Sequence, residues 1–189
     1  INIHIGGAYG EHDAALARFC DNFEKHLTPS AQSRLTVEND DKANMYSVKD
    51  LYEGVYKVVG IPIVFDYFHH KFCTGDMTEE EALKLAASTW GDVKPCTHYS
   101  ESRRAEKKLV IEQICKNNNI TMEQMQDWPT LAGHYKEFSK IKEQAHSDYI
   151  KEEIKDYGLD IDVVVEAKAK ELAFMSEEYK KVLTEVLPC

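Results

Sequence analysis

Five short apolar runs, each closing on an imidazole or a carboxylate, constrain this 189-residue chain more than any other feature. They are Ile1–His4, Arg34–Glu38, Ile61–Asp66, Val93–His98 and Ile161–Glu166. Ile61-Pro62-Ile63-Val64-Phe65 reads as a strand buried on both faces, since it is continuously apolar and does not alternate. Between the runs, apolar residues recur at helical spacing: Leu16, Phe19, Cys20, Phe23 and Leu27; then Val48, Leu51, Tyr52, Val55, Val58 and Val59. Thr78-Glu79-Glu80-Glu81 is a capping box opening a third helix, with Leu83, Ala86, Ala87 and Trp90 on its buried face. Residues 103–145 read as helices, broken at Asn117-Asn118-Asn119, and the last run leads into a long helix carrying Leu172, Met175, Tyr179, Val182 and Val186.

Strands alternating with amphipathic helices predict a parallel α/β architecture. A doubly wound sheet would ordinarily carry a glycine-rich phosphate loop, and neither GxGxxG nor a Walker pattern is present. A TIM (β/α)8-type barrel instead gathers the carboxyl ends of its strands on one face, where His4, Glu38, Asp66, His98 and Glu166 would meet.

Composition narrows the setting. At 43% apolar and 30% charged residues the chain is globular, and no apolar run approaches the roughly 18–20 residues of a membrane span. Five cysteines, odd in number and without a CxxC pair, fit an intracellular, reduced protein better than a disulfide or structural zinc framework. A eukaryotic source would place it in the nucleus, any other in the cytoplasm. The formal charge of −10 opposes a polyanionic partner, but carboxylates that hold divalent cations reverse their local field, and basic residues cluster at Arg103, Arg104, Lys107 and Lys108. The abrupt opening on a strand, with no initiator Met, leads us to expect that an amino-terminal portion is missing.

Imidazoles and carboxylates without a cysteine cluster suit zinc, manganese or iron(II). A carboxylate such as Glu38 can bridge two ions, which together activate water and stabilise the attacking and leaving oxygens of phosphodiester hydrolysis. The lesser reading of His4 is a hydrogen bond to the glycine turn that follows it. Asp40 and Asp41 read as solvated or capping residues rather than ligands. The i,i+3 spacing pairs Asp66 with His69 and leaves His70 outside the first ligand set or facing solvent. His12, His26 and His134 read as surface residues; Trp90 reads as packing. Tyr9, Tyr67 and Tyr99 can stack on bases or pack in the core.

Several strings together resemble the ultraviolet damage endonucleases, nearer the fungal than the bacterial branch. They are His4–Gly10, Ala14–Phe19, Leu35–Asp41, Phe65–His70, His98–Ser102, His146-Ser147-Asp148 and Glu166–Glu171. The resemblance spans nearly the whole chain outside a helical insertion at 103–145. It implies one barrel domain over 1–189, related to xylose isomerase and endonuclease IV, of which the chain shows the last five βα units. It also implies a DNA repair enzyme that nicks damaged double-stranded DNA 5′ of ultraviolet photoproducts, an entry to excision repair. Two or three divalent ions are implied, manganese above all, with zinc or magnesium as alternatives. The implied metal ligands are His4, Glu38, Asp66, His69, His98, His146 and Glu166; Glu38, Glu166 and Lys168 take the catalytic roles and Lys170 faces DNA. Apart from the resemblance, Tyr9 is a candidate to stack on a base and the basic pair Arg103 and Arg104 to meet DNA. In the family a lysine that can be carboxylated usually stands two residues before the histidine matched by His98; here it is Cys96, either a substitute ligand or a sign that one ion is absent. Phe68 stands where a further histidine is common. With five strands of eight in view, a missing amino-terminal segment or a second chain is expected to complete the barrel. Two other readings fit the same residues: a sugar isomerase or epimerase on the same barrel, and a non-catalytic barrel fragment.

Overall fold

The five runs form five parallel strands: β1 (Asn2–Ile3), β2 (Thr36–Glu38), β3 (Ile63–Asp66), β4 (Cys96–Tyr99) and β5 (Asp162–Val165). They lie in the order β1-β2-β3-β4-β5, every neighbour parallel and sequential. The computed structural model describes residues 1–175. These fall into two units, one of residues 1–99 with 154–165, the other of residues 100–153 continuing from 166. None of the helices among the described residues is long and apolar enough to cross a membrane.

In the first unit β3 is the most enclosed strand, with all four residues buried. Helix α1 (His12–His26) buries Leu16, Cys20 and Phe23, while α6 (Glu79–Ala87) starts at a complete Thr78/Glu81 capping box and buries Ala82, Leu83 and Ala86. Thr28 caps the short α2 (Pro29–Gln32), so Thr28-Pro29-Ser30 both closes α1 and opens the next turn.

The segment after β2 departs from the expected single helical face. It runs as α3 (Val48–Leu51), a π-helical turn at Tyr52–Tyr56 and α4 (Lys57–Val59). Val48, Leu51 and Val55 are fully buried, but Val58 is 60% exposed. A π turn inserts one residue into the 3.6-residue repeat and rotates everything downstream of it. Gly54 sits within this turn, where a Cβ would come 2.7 Å from Leu16 Cδ1 and would oblige the Leu16 side chain to shift. The Gly54 carbonyl accepts the Cys20 thiol at 3.3 Å.

The second unit contains the predicted helical insertion. Helix α7 (Arg103–Asn118) ends on left-handed Asn119, as the asparagine run suggested, and α8 is Ala132–Ser139. Ile111, Cys115, Met125 and Phe138 form its apolar centre. Arg104 lies over the Phe138 ring at 4.5 Å, donates to the Ile141 carbonyl at 2.7 Å and pairs with Glu143 at 2.7 Å. The stretch after β5 is a 3-10 helix at Lys170–Met175, where the apolar spacing of Leu172 and Met175 predicts an α-helix. Tyr179, Val182 and Val186 lie outside the described residues.

Candidate metal centre

Parallel pairing aligns strand ends, so Asp66 is the register partner of His98, and Glu38 pairs with Val64, two residues before Asp66. Glu38 occupies the middle of what results. Its carboxylate lies 3.3 Å from His69 Nδ1 and 3.3 Å from His98 Nδ1, and it accepts a hydrogen bond from the Asn2 side chain. Two overlapping groups able to hold a metal ion share it: His4, Glu38 and His69, and Glu38, Asp66 and His98. The donors are imidazole and carboxylate alone, a set suited to zinc, manganese or iron(II).

Asp66 serves two purposes here. One carboxylate oxygen accepts the His69 amide at 2.8 Å and caps the one-turn helix α5 (Tyr67–His70), while the other lies 3.9 Å from the His69 ring. The i,i+3 spacing that linked these residues is thus the geometry of an N-cap. Asn39 locks the arrangement. Its amide donates to the Asp66 carbonyl at 3.0 Å and accepts from the Asp66 amide at 2.8 Å. The Asn39 carbonyl faces His69 Nδ1 at 3.0 Å, and since a carbonyl only accepts, Nδ1 carries a proton.

Burial alone would raise the Glu38 pKa, but hydrogen bonds from His69 and His98, with the positive field of His98 and His4, hold it far below its usual range. Burial likewise opposes charge on His69, yet Glu38 and Asp66 overcome it and push its pKa up to about 9. The linkage has opposite signs for the two groups. Glu38 contributes stability above its unfolded value of 4.5 and loses it as pH falls; His69 contributes fully below 6.5 and loses its share as pH rises through about 9. Metal-free protein should therefore melt at progressively lower temperature between pH 6.5 and 9. A divalent ion that takes His69 must displace its proton, so the gain in melting temperature on adding manganese should grow over the same interval. Parallel melts with and without the ion test this; a gain independent of pH would contradict the assignment.

Other candidate residues are placed differently. Cys96 is not in either group, because it precedes His98 by one pleat repeat, about 6–7 Å back along β4. Phe68 is buried against Phe72. His70, expected at the periphery or in solvent, is buried against the Phe65 ring, and desolvation lowers its pKa. His12 is not a plain surface residue: its ring packs on Tyr46 and Nε2 meets the Met45 carbonyl at 3.1 Å. In the second unit, His146 Nδ1 lies 2.9 Å from the Glu166 carbonyl and 3.6 Å from its carboxylate. Lys168 and Lys170 are exposed there, Arg103 is partly buried, and Arg104 is held by the packing described above. Tyr9, at 90% exposure, stands in the loop after β1 with a left-handed backbone. Sequence reasoning missed Asn39 and set Asp40 aside; the adjacency of both to Glu38 was the available signal.

A parallel α/β sheet whose strand ends gather imidazoles and carboxylates around one buried glutamate defines a candidate metal-binding protein. The profile of the family described as UV-endonuclease UvdE matches residues 1–185, and the chain belongs to that family. A UV DNA damage endonuclease from Bacillus mycoides (strain KBAB4) is 30% identical over 185 residues, covering 93% of this chain and 46% of the relative. One from Bacillus pumilus (strain SAFR-032) is 42% identical over 112 residues, 58% of this chain and 33% of the relative. A solved structure described as the crystal structure of SacUVDE superposes with a TM-score of 0.67 at 27% identity, covering 98% of this chain and 51% of that one. The chain thus spans between a third and about half of the length of these relatives.

Proposed function

We propose that this chain carries the metal-binding face of a DNA repair endonuclease that nicks the backbone 5′ of ultraviolet photoproducts. The observation that supports it most is the pair of overlapping His/carboxylate groups sharing Glu38. Sequential parallel strand order without a reversal favours a TIM-type barrel over a doubly wound sheet. Family membership favours DNA over a sugar as substrate.

Divalent ions, manganese first and zinc or magnesium as alternatives, would supply a water nucleophile and neutralise charge developing on the phosphate. Glu38 would be shared between two ions, with His4, His69, Asp66 and His98 around it. His146 and Glu166 are carried as further ligands on the resemblance. Lys168, Lys170 and Arg103 would meet backbone phosphates, and Tyr9 offers a ring face for stacking on a base.

The protein as naturally produced, loaded with manganese and mixed with ultraviolet-irradiated duplex, should give strand breaks immediately 5′ of the photoproducts and leave undamaged duplex intact. Binding should weaken steeply with salt, as it does for proteins that neutralise phosphates. Normal manganese binding without any nicking would overturn the proposal.

A further inference from the structure

His4 is the weakest-held member of the cluster. It follows a strand only two residues long at the edge of the sheet, and its side chain is 41% exposed. The loop after it turns through positive φ at Gly6, Tyr9 and Gly10, so the local backbone offers little to fix its ring. Support comes instead from the neighbouring strand. One oxygen of Asp40, just beyond β2, lies 3.4 Å from His4 Nδ1, and the other faces the Tyr46 amide at 3.4 Å. The Asp40 amide in turn donates to the Tyr46 carbonyl at 2.9 Å, and Tyr46 is fully buried. Asp40 is therefore anchored on both its main chain and its side chain, and its carboxylate is only 11% exposed.

We propose that Asp40 is a positioning residue for the metal centre: it receives the Nδ1–H of His4, sets the ring's tautomer and direction, and leaves Nε2 to bind the ion. The inference rests on the metal-site function proposed above. Histidine ligands characteristically donate their second ring N–H to a carboxylate or carbonyl, and the partner decides which nitrogen meets the metal. His69 obtains such a partner from the Asn39 carbonyl, so consecutive residues after Glu38 orient two different ligands, one on each side of it.

The test reads the tautomer first, without an ion. Long-range proton–nitrogen NMR on the metal-free protein, at a pH where His4 is neutral, should show Nδ1–H in wild type and a shift toward Nε2–H in Asp40→Asn. Asparagine is nearly isosteric and retains an acceptor for the Tyr46 amide, so melting of the metal-free form should change little. Cobalt or manganese titration should show affinity about 10–100-fold weaker in Asp40→Asn. In a His4→Ala background the same change should alter affinity about twofold or less, because the two residues act as one unit. An Nε2–H tautomer in wild type, or an equal loss of affinity in the His4→Ala background, would overturn the proposal. Failure of wild type to bind either ion, with Nδ1–H intact, would instead remove the metal-site function and leave the brace standing.

Discussion

Replacing Glu38 by Gln is expected to abolish metal binding, and with it the nicking proposed above, while the chain still folds. Gln keeps the shape of Glu but removes the charge that His69 and His98 face at 3.3 Å and that both metal-capable groups share. Loss of affinity should exceed the about 10–100-fold that removal of an outer hydrogen-bond partner causes. The stability effect has a diagnostic pH dependence. Removing one member of a buried ion pair costs about 3–5 kcal/mol when the other stays charged. His69 without Glu38 loses the main support for its proton, so the penalty should be largest near pH 6 and shrink as the ring becomes neutral on approaching pH 9. Calorimetry of the metal-free variant across that range, with manganese titration at its upper end, checks both parts. Retention of tight manganese binding would rule out a shared role for this carboxylate.

Asn39→Ala should be nearly as damaging, although Asn39 is not itself counted among the ligands. Its amide makes both hydrogen bonds to the Asp66 main chain, at 2.8 and 3.0 Å, in a fully buried setting. Truncation leaves the Asp66 N–H and C=O without these partners at the end of β3, a loss of about 2–4 kcal/mol. Because the Asp66 side chain caps α5 and α5 carries His69, the disturbance reaches two members of the candidate metal groups at once. Metal affinity should fall together with the melting temperature. A variant that loses less than about 0.5 kcal/mol would show that Asn39 is an ordinary polar surface residue in effect. Asn39→Asp separates donor from acceptor: it retains the acceptor for the Asp66 amide but loses the donor and buries a charge beside Glu38.

The strands and helices were legible because their signals are local. A continuous apolar run makes Ile63–Asp66 a buried strand whatever surrounds it, and the Thr78/Glu81 pair opens α6 by contacts within one turn. The strand-end ligands were legible for a related reason. Parallel pairing brings carboxyl ends together, so Glu38, Asp66 and His98 needed only the prediction of a parallel sheet to become neighbours.

Tertiary structure decided the rest, because it depended on reach, rotation and contacts between distant segments. The π turn at Tyr52–Tyr56 turned Val58 out to solvent where Gly54 had to pass close to Leu16, a constraint from another helix. Cys96 stands on the strand that the motif predicts, yet it is in neither group around Glu38. Arg104 read as part of a basic patch, and its guanidinium is engaged by Glu143, the Ile141 carbonyl and the Phe138 ring. Asn39 and Asp40 gained their roles only when β3 and the loop to Tyr46 folded against them. Residue type and spacing put imidazoles and carboxylates at the strand ends; the contacts that orient them come from neighbours that sequence spacing alone does not bring together.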